Sequence, residues 1–165
     1  MIDFVSIPNE RIKILRQEKK DLKDLENFSG AKIKISQDIE INCGDALMTL
    51  RVKEVIHAFG RGFTLQDAMD LLDESFVMET ISVSEFAGKS KNRQIVLKGR
   101  VIGRKGTMHE LIEKYTQVKI SIYGKTISMI GTWENVQNAK RAVEKLLSGA
   151  KHTTVYRFLE ELPVK

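Results

Sequence analysis

Apolar and polar residues alternate along "VKISIYG", from Val118, and again along "KTISMIG", from Lys125. Alternation turns one face of an extended chain to a core, so the two stretches predict a hairpin with its turn at Gly124-Lys125. On either side the spacing lengthens. In "TWENVQNAKRAVEKLLSG", Trp133, Val136, Ala139, Val143 and Leu146 fall on one helical face, and Gly149 is placed to stop the helix. "TMHELIEKYT" predicts another helix, opened by a capping box in which Thr107 accepts from the Glu110 N–H and Glu110 reaches back. Upstream, "QIVLKG" from Gln94 reads as a short strand, "RVIG" as one helical turn and "RKG" as a loop. The predicted order is β-α-α-β-β-α.

A shift of about 87 residues returns the same order in the first half, in apolar spacing and not in identity. "FVSI" is a strand, "RIKIL" a helical turn and "KKDLKDLENFSG" a helix. "AKIKIS" and "IEINCG" are strands, and "ALMTLRVKEVIHAFG" is the long helix. Leu25, Phe28, Ala31 and Ile33 stand where Ile112, Tyr115, Val118 and Ile120 stand in the second copy. Between the copies, Thr64 to Glu74 predicts a short acidic helix with Leu65, Ala68, Leu71 and Leu72 on its buried face. "SFVMETISV" then reads as a strand leading into the second copy. The expected class is α+β, with domains at 1–87 and 88–165.

Composition narrows the chemistry. Cys43 is the lone cysteine, and His57, His109 and His152 lie far apart, so no metal site and no disulfide is expected. Asp70, Asp73 and Glu74 read as the wet face of an amphipathic helix. No run approaches the roughly 18 apolar residues that span a membrane, and the N-terminus has no signal core, so a cytoplasmic protein is expected. Charge divides the chain sharply. Residues 1–87 hold 11 Lys/Arg against 16 Asp/Glu, and residues 88–165 hold 16 against 6. Seven cations and no carboxylate lie between 88 and 105. A solvated face is the bland reading of such a run; nucleic-acid phosphate is the specific one.

The basic run ends in "VIGRKGTMHE". Gly103 and Gly106, three residues apart before a helix, let a backbone come close with its N–H groups outward at the positive end of the helix dipole. Arg104 and Lys105 at the tip supply cations for phosphate oxygens, Arg100 adds another, and Val101 and Ile102 offer an apolar wall for bases. A carboxylate at residue 103 is expected to block RNA and leave the fold intact. Lys105 precedes Gly106 and Thr107, so the order of a Walker A loop is absent, and no G-x-G-x-x-G occurs. No catalytic set is found. His109 has no nucleophile partner and reads as an exposed helical histidine. At the matching place in the first copy stand Arg16-Gln17-Glu18-Lys19, with both glycines gone and a carboxylate added.

The β-α-α-β-β-α order with "VIGRKG" between its first two helices resembles that of type I KH domains. "GKTISMIGTWENVQNAKRAVEKLLSGAKHTTVYRFLE" and "AFGRGFTLQDAMDLLDE" resemble the archaeal two-KH-domain small-subunit ribosome assembly factors, counterparts of the eukaryotic partner of Nob. The resemblance implies two tandem KH domains packed as one body. It implies a factor without enzymatic activity or cofactor that binds single-stranded 16S rRNA near its 3′ end during pre-rRNA maturation. A Nob-type endonuclease and, in archaea, the alpha subunit of initiation factor two are the implied partners. Arg16 to Lys19 depart from the family's loop, so the first domain is expected to brace the fold and meet proteins. Two other readings compete: a protein-docking adaptor whose KH domains are scaffolds, and an exosome or nuclease accessory subunit.

The connector from Arg61 to Gly88 has no proline, and its apolar residues recur at structured spacings, unlike a flexible spacer. The two halves should therefore melt in a single cooperative transition. Two separate thermal transitions, or independent tumbling of the halves by NMR, would contradict this.

Overall fold

The computed structural model describes residues 1–163; Val164 and Lys165, the end of the expected second domain, lie outside the described residues. The chain divides into Met1–Phe76 and Val77–Lys165.

The first unit runs β1 (Ile2–Val5), α1 (Asn9–Gln17), α2 (Lys19–Ser29), β2 (Lys32–Ile35), β3 (Ile39–Asn42) and α3 (Ala46–Gly60). Its sheet has the order β1-β3-β2, antiparallel throughout, with Asp3 opposite Ile41 and Ile33 also opposite Ile41. Alternation sends Ile39 and Ile41 into the core, where they join Leu15, Leu25, Val52, Val55, Ile56 and Phe59, all buried. After α3 the expected acidic helix is broken into one α-helical turn, α4 (Leu65–Ala68), and a 3-10 turn at Met69–Leu72. Thr64 caps it by accepting from the Asp67 N–H at 3.1 Å. Leu65, Ala68 and Leu71 are buried as expected, while Leu72 is half-buried.

The second unit runs β4 (Phe76–Ser82), α5 (Ser84–Ala87), α6 (Lys91–Ile102), a 3-10 turn (Arg104–Gly106), α7 (Thr107–Thr116), β5 (Lys119–Tyr123), β6 (Thr126–Thr132), α8 (Trp133–Leu147) and α9 (His152–Glu160). Its sheet has the order β4-β6-β5. The β5–β6 hairpin is as expected: Tyr123 pairs with Thr126 across Gly124-Lys125. Its core gathers Leu97, Val101, Met108, Ile112, Ile127, Met129, Val136, Val143 and Leu146 from both helices and sheet.

Two expectations move. "QIVLKG" is not a strand; it lies inside α6, where Gln94, Leu97 and Val101 are buried at helical spacing and Ser90 accepts from the Arg93 N–H at 3.2 Å. The strand of this copy is β4, which the sequence reading assigned to the connector. The boundary accordingly falls after Phe76 and not between 87 and 88. The cause is a repeat of uneven length. Lys53 pairs with Asp3 at 2.9 Å, and Lys140, 87 residues on, pairs with Glu79 at 3.9 Å, so Asp3 answers to Glu79. The extra turn α5 and a longer α6 then separate β4 from the loop, and a constant shift overruns the strand. Trp133 is a smaller departure. Val136, Ala139, Val143 and Leu146 are buried on α8, but Trp133, at its first position, is 63% exposed.

From α2 onward the copies match in chemistry as well as spacing. Glu26 accepts from the outward N–H of Ile33 at 2.9 Å, and Glu113 accepts from that of Ile120 at 3.0 Å. Each carboxylate satisfies a backbone donor on an edge strand. Ser29 and Thr116 each return a hydroxyl to a carbonyl one turn back, on Leu25 and Ile112. Among the described residues no helix is long and apolar enough to cross a membrane.

Glu26→Ala and Glu113→Ala should each cost about 1–2 kcal/mol, since each leaves a half-buried N–H without its acceptor. Urea midpoints of the two variants check this. A loss confined to one of them would break the equivalence of the copies.

Candidate nucleic-acid interface

α6 ends because the chain must leave it sharply. The Gly103 N–H still donates to the Gly99 carbonyl at 2.9 Å, but Gly103 itself takes φ 76° and ψ 174°. Such a backbone is open to glycine and strained for any L side chain. Space excludes a side chain as well: a Cβ there would lie 2.5 Å from Met108 Cβ and 2.7 Å from the Met108 N. Lys105 (φ 55°) and Gly106 (φ 76°) then turn left-handed, and α7 begins at Thr107. The turn lifts Arg104 and Lys105 into solvent, where neither makes an ion pair among the described residues.

The capping box is not formed. Gly106 is the N-cap, and the Thr107 hydroxyl instead donates to the Arg104 carbonyl at 2.8 Å, closing the loop on itself. The Gly106 N–H donates to the Gly103 carbonyl and the Thr107 N–H to the Arg104 carbonyl. The loop amides at 103, 106 and 107 are thus used internally, contrary to the outward N–H groups expected. Attraction for an anion rests on the two side-chain cations and the positive end of α7. His109 is half-buried, not exposed as expected. It packs under Gly106, with Nε2 3.9 Å from Glu113 Oε1 and Nδ1 buried without a partner.

The expected site residues separate into two groups. Gly103, Arg104, Lys105 and Gly106 form the loop, and Ile102, 36% exposed, stands beside it. Arg100 and Val101 face elsewhere. The Arg100 guanidinium donates to the carbonyls of Leu146 and Ala150, tying α6 to the end of α8. Arg11 does the same in the first unit, donating to the Phe59 and Phe63 carbonyls at 2.9 and 2.8 Å. Val101 is fully buried and cannot be a wall for bases. Exposed apolar side chains stand instead at residues the sequence reading passed over. Ile95 and Val96 are 62% and 63% exposed. Ile95, Gly99 and Ile102 recur along one exposed side of α6 that ends at the loop. A Cβ at Gly99 would meet nothing within 4 Å, so this strip has an open notch at its middle. Reading "NRQIVLKGRVI" as a helix would have exposed the strip, because its face opposes Gln94, Leu97 and Val101.

In the first unit the corresponding junction is closed. α1 runs to Gln17 and α2 starts at Lys19, with Glu18 at φ −85° between them and no left-handed residue. Arg16 reaches the Ser36 carbonyl at 3.4 Å. No group of His, Cys, Asp or Glu able to hold a metal occurs among the described residues.

The profile of the eukaryotic-type KH domain (KH domain type I), in its form for the second domain of PNO1 proteins, matches residues 77–163. The chain belongs to the PNO1-type KH-domain family. It is 36% identical to a KH domain-containing protein of Methanocaldococcus jannaschii, over 96% of this chain and 73% of that one. It is similar in structure to Dim2p of Pyrococcus horikoshii, at 33% identity and a TM-score of 0.87, covering 98% of this chain and 99% of that one. Dim2p in a complex of a/eIF2alpha, aDim2p and rRNA from the same organism gives 33% identity and a TM-score of 0.87, covering 97% and 92%. The chain spans 45% of the RNA-binding protein pno1 of Dictyostelium discoideum and 52% of that of Drosophila melanogaster. The matched profile begins at residue 77, inside β4, so β4, assigned to the connector in sequence, belongs to the family's second domain.

Gly103→Asp is not the clean test expected of it. The new Cβ strikes backbone and side chain of Met108 in a left-handed conformation, and about 2–4 kcal/mol of stability should be lost. Gly106→Asp should cost only about 1–2 kcal/mol, because aspartate tolerates this left-handed region and its Cβ meets nothing closer than the His109 edge at 3.4 Å and Glu110 Oε1 at 3.8 Å. Gly106→Asp should keep a near-native melting point and still lose RNA affinity. Undiminished affinity in that variant would remove the loop from the interface.

Proposed function

We propose that the chain is a non-enzymatic RNA-binding factor of small-subunit ribosome assembly, holding a single-stranded segment of 16S rRNA near its 3′ end during pre-rRNA maturation. One observation carries the reading: an unpaired Arg104-Lys105 tip stands at the end of an exposed apolar strip on α6. Cations there clamp a sugar-phosphate backbone while Ile95 and Ile102 take the faces of unstacked bases. The basic second half draws the strand in, and the G-x-x-G turn sets its path. Support comes also from relatives named as RNA-binding and pre-rRNA-processing proteins, and from a similar structure solved with rRNA. In this reading the protein works in the cytoplasm. Its partners are a Nob-type endonuclease acting on the same 3′ region and the alpha subunit of initiation factor two, the latter in line with the complex above. The first unit, with its closed α1–α2 junction, braces the fold and meets proteins.

Arg104→Ala with Lys105→Ala should weaken single-stranded RNA binding across sequences. For each phosphate no longer engaged, the slope of log affinity against log salt should become shallower by about 0.7. Gln17→Ala with Glu18→Ala should change affinity little. Equal losses in the two double variants would mean that the RNA crosses both units. Crosslinking in cells, with bases and peptides both read, should return 3′-terminal small-subunit rRNA on peptides from α6 and the loop; crosslinks confined to other RNAs would refute the assignment.

A further inference from the structure

The first unit has an open cleft of about 530 Å³ that the RNA reading leaves unused. Its walls are Phe28 from the end of α2, Met48 from α3, and Met69, Leu72 and Phe76 from the segment that follows. Phe28 is 74% exposed, more than any other large apolar residue among those described. The rim is acidic: Asp70 and Asp73 line it, and Glu74 adjoins them. Asp73 accepts from the Ser75 N–H at 2.9 Å and from its hydroxyl at 2.8 Å, and these bonds hold its carboxyl below the ordinary range. The nearby Arg51 is engaged with the Leu72 carbonyl at 3.1 Å and with Glu74 at 3.5 Å.

The second unit has a counterpart to this cleft. The shift of 87 residues carries Phe28 to Tyr115 and Met48 to Asn135, and these two line a cleft of about 210 Å³. Leu162 and Pro163, from the chain beyond α9, form part of it. In the first unit the same position is roomier, methionine replaces asparagine, and the aromatic ring is bare.

We propose that the Phe28–Met48–Met69 cleft docks a segment of a partner protein that carries an aliphatic or aromatic anchor flanked by Lys or Arg. The anchor lies on the phenyl ring between two methionines, whose unbranched side chains adapt to its shape. The flanking cations meet Asp70, Asp73 and Glu74. Residues 1–76 hold 11 Lys/Arg against 14 Asp/Glu, a balance that favours a cationic partner over RNA. The proposal does not depend on the RNA-binding reading.

Three short synthetic peptides test it on the full chain: one of Lys and Leu, one with each Leu replaced by Ser, and one with each Lys replaced by Glu. Fluorescence anisotropy gives affinities, and methionine-methyl NMR gives the place of binding. The Lys/Leu peptide should bind best and shift the Met48 and Met69 methyl signals. Phe28→Ser should weaken it by about tenfold or more, with melting point and RNA affinity unchanged. Glu74→Lys should weaken the Lys/Leu peptide and improve the Glu/Leu one. The idea fails if the Lys/Ser peptide binds as well, if Phe28→Ser changes nothing, or if oligo-uridine RNA moves those methyl signals. It also fails if the chain self-associates through Phe28, since the occupant would then be a second copy.

Discussion

A Cβ atom at residue 103 would sit 2.5 Å from Met108 Cβ, and much of the second unit follows from that closeness. Because α6 and α7 meet so tightly, Met108 and Ile112 reach the core beneath them, fully buried like Val101 and packed in one cluster with the buried Leu97. The chain can then pass from one helix to the other only through a left-handed turn, taken by Gly103, Lys105 and Gly106. At Gly103 that turn has no room for a side chain, and the residues that follow it, Arg104 and Lys105, are directed into solvent. The packing of two helices and the presentation of two cations are one constraint seen from opposite sides. A glycine that looks like a concession to phosphate is first a concession to methionine.

The first unit keeps the frame without this constraint. Its edge-strand acceptor, its hydroxyl returned to the helix and its arginine on the end of the long helix all match those of the second. These bonds satisfy buried or half-buried backbone groups, which no copy of the fold can leave open. The α1–α2 junction carries no such obligation. There α1 runs on to Gln17, and α2 follows after a single residue. Hydrogen-bond obligations hold the shared frame in place, while the loop is free to diverge in chemistry. The charge follows the same division, acidic in the first half and basic in the second.

Much of this was legible in the residues themselves. The hairpin at Gly124-Lys125, the long helices α3 and α8, the repeat and the loop follow from periods of two and 3.6 and from glycine placement, which are local properties of the chain. The resemblance to two-KH-domain assembly factors rested on long local stretches and therefore also held. The errors lay where local signal is ambiguous. "QIVLKG" contains β-branched and long aliphatic residues that suit a strand as well as a helix, and only its packing on α7 and α8 decides between them.

What the amino-acid sequence determined by itself was the hairpins, the long helices, the charge division, and the four loop residues from Gly103 to Gly106, because backbone preference and charge are carried by each residue wherever it lies. What only the tertiary structure decided was the use of each side chain. Arg100 is spent on the carbonyls of Leu146 and Ala150, 46 and 50 residues away, and Val101 is buried, while Ile95 and Ile102 are left bare beside the loop. β4 completes a sheet with β6 across the whole of the two-helix unit, so its membership is fixed by a long-range pairing that no local pattern encodes. Burial and partnership depend on what the rest of the chain brings alongside, and that is settled only when distant segments pack.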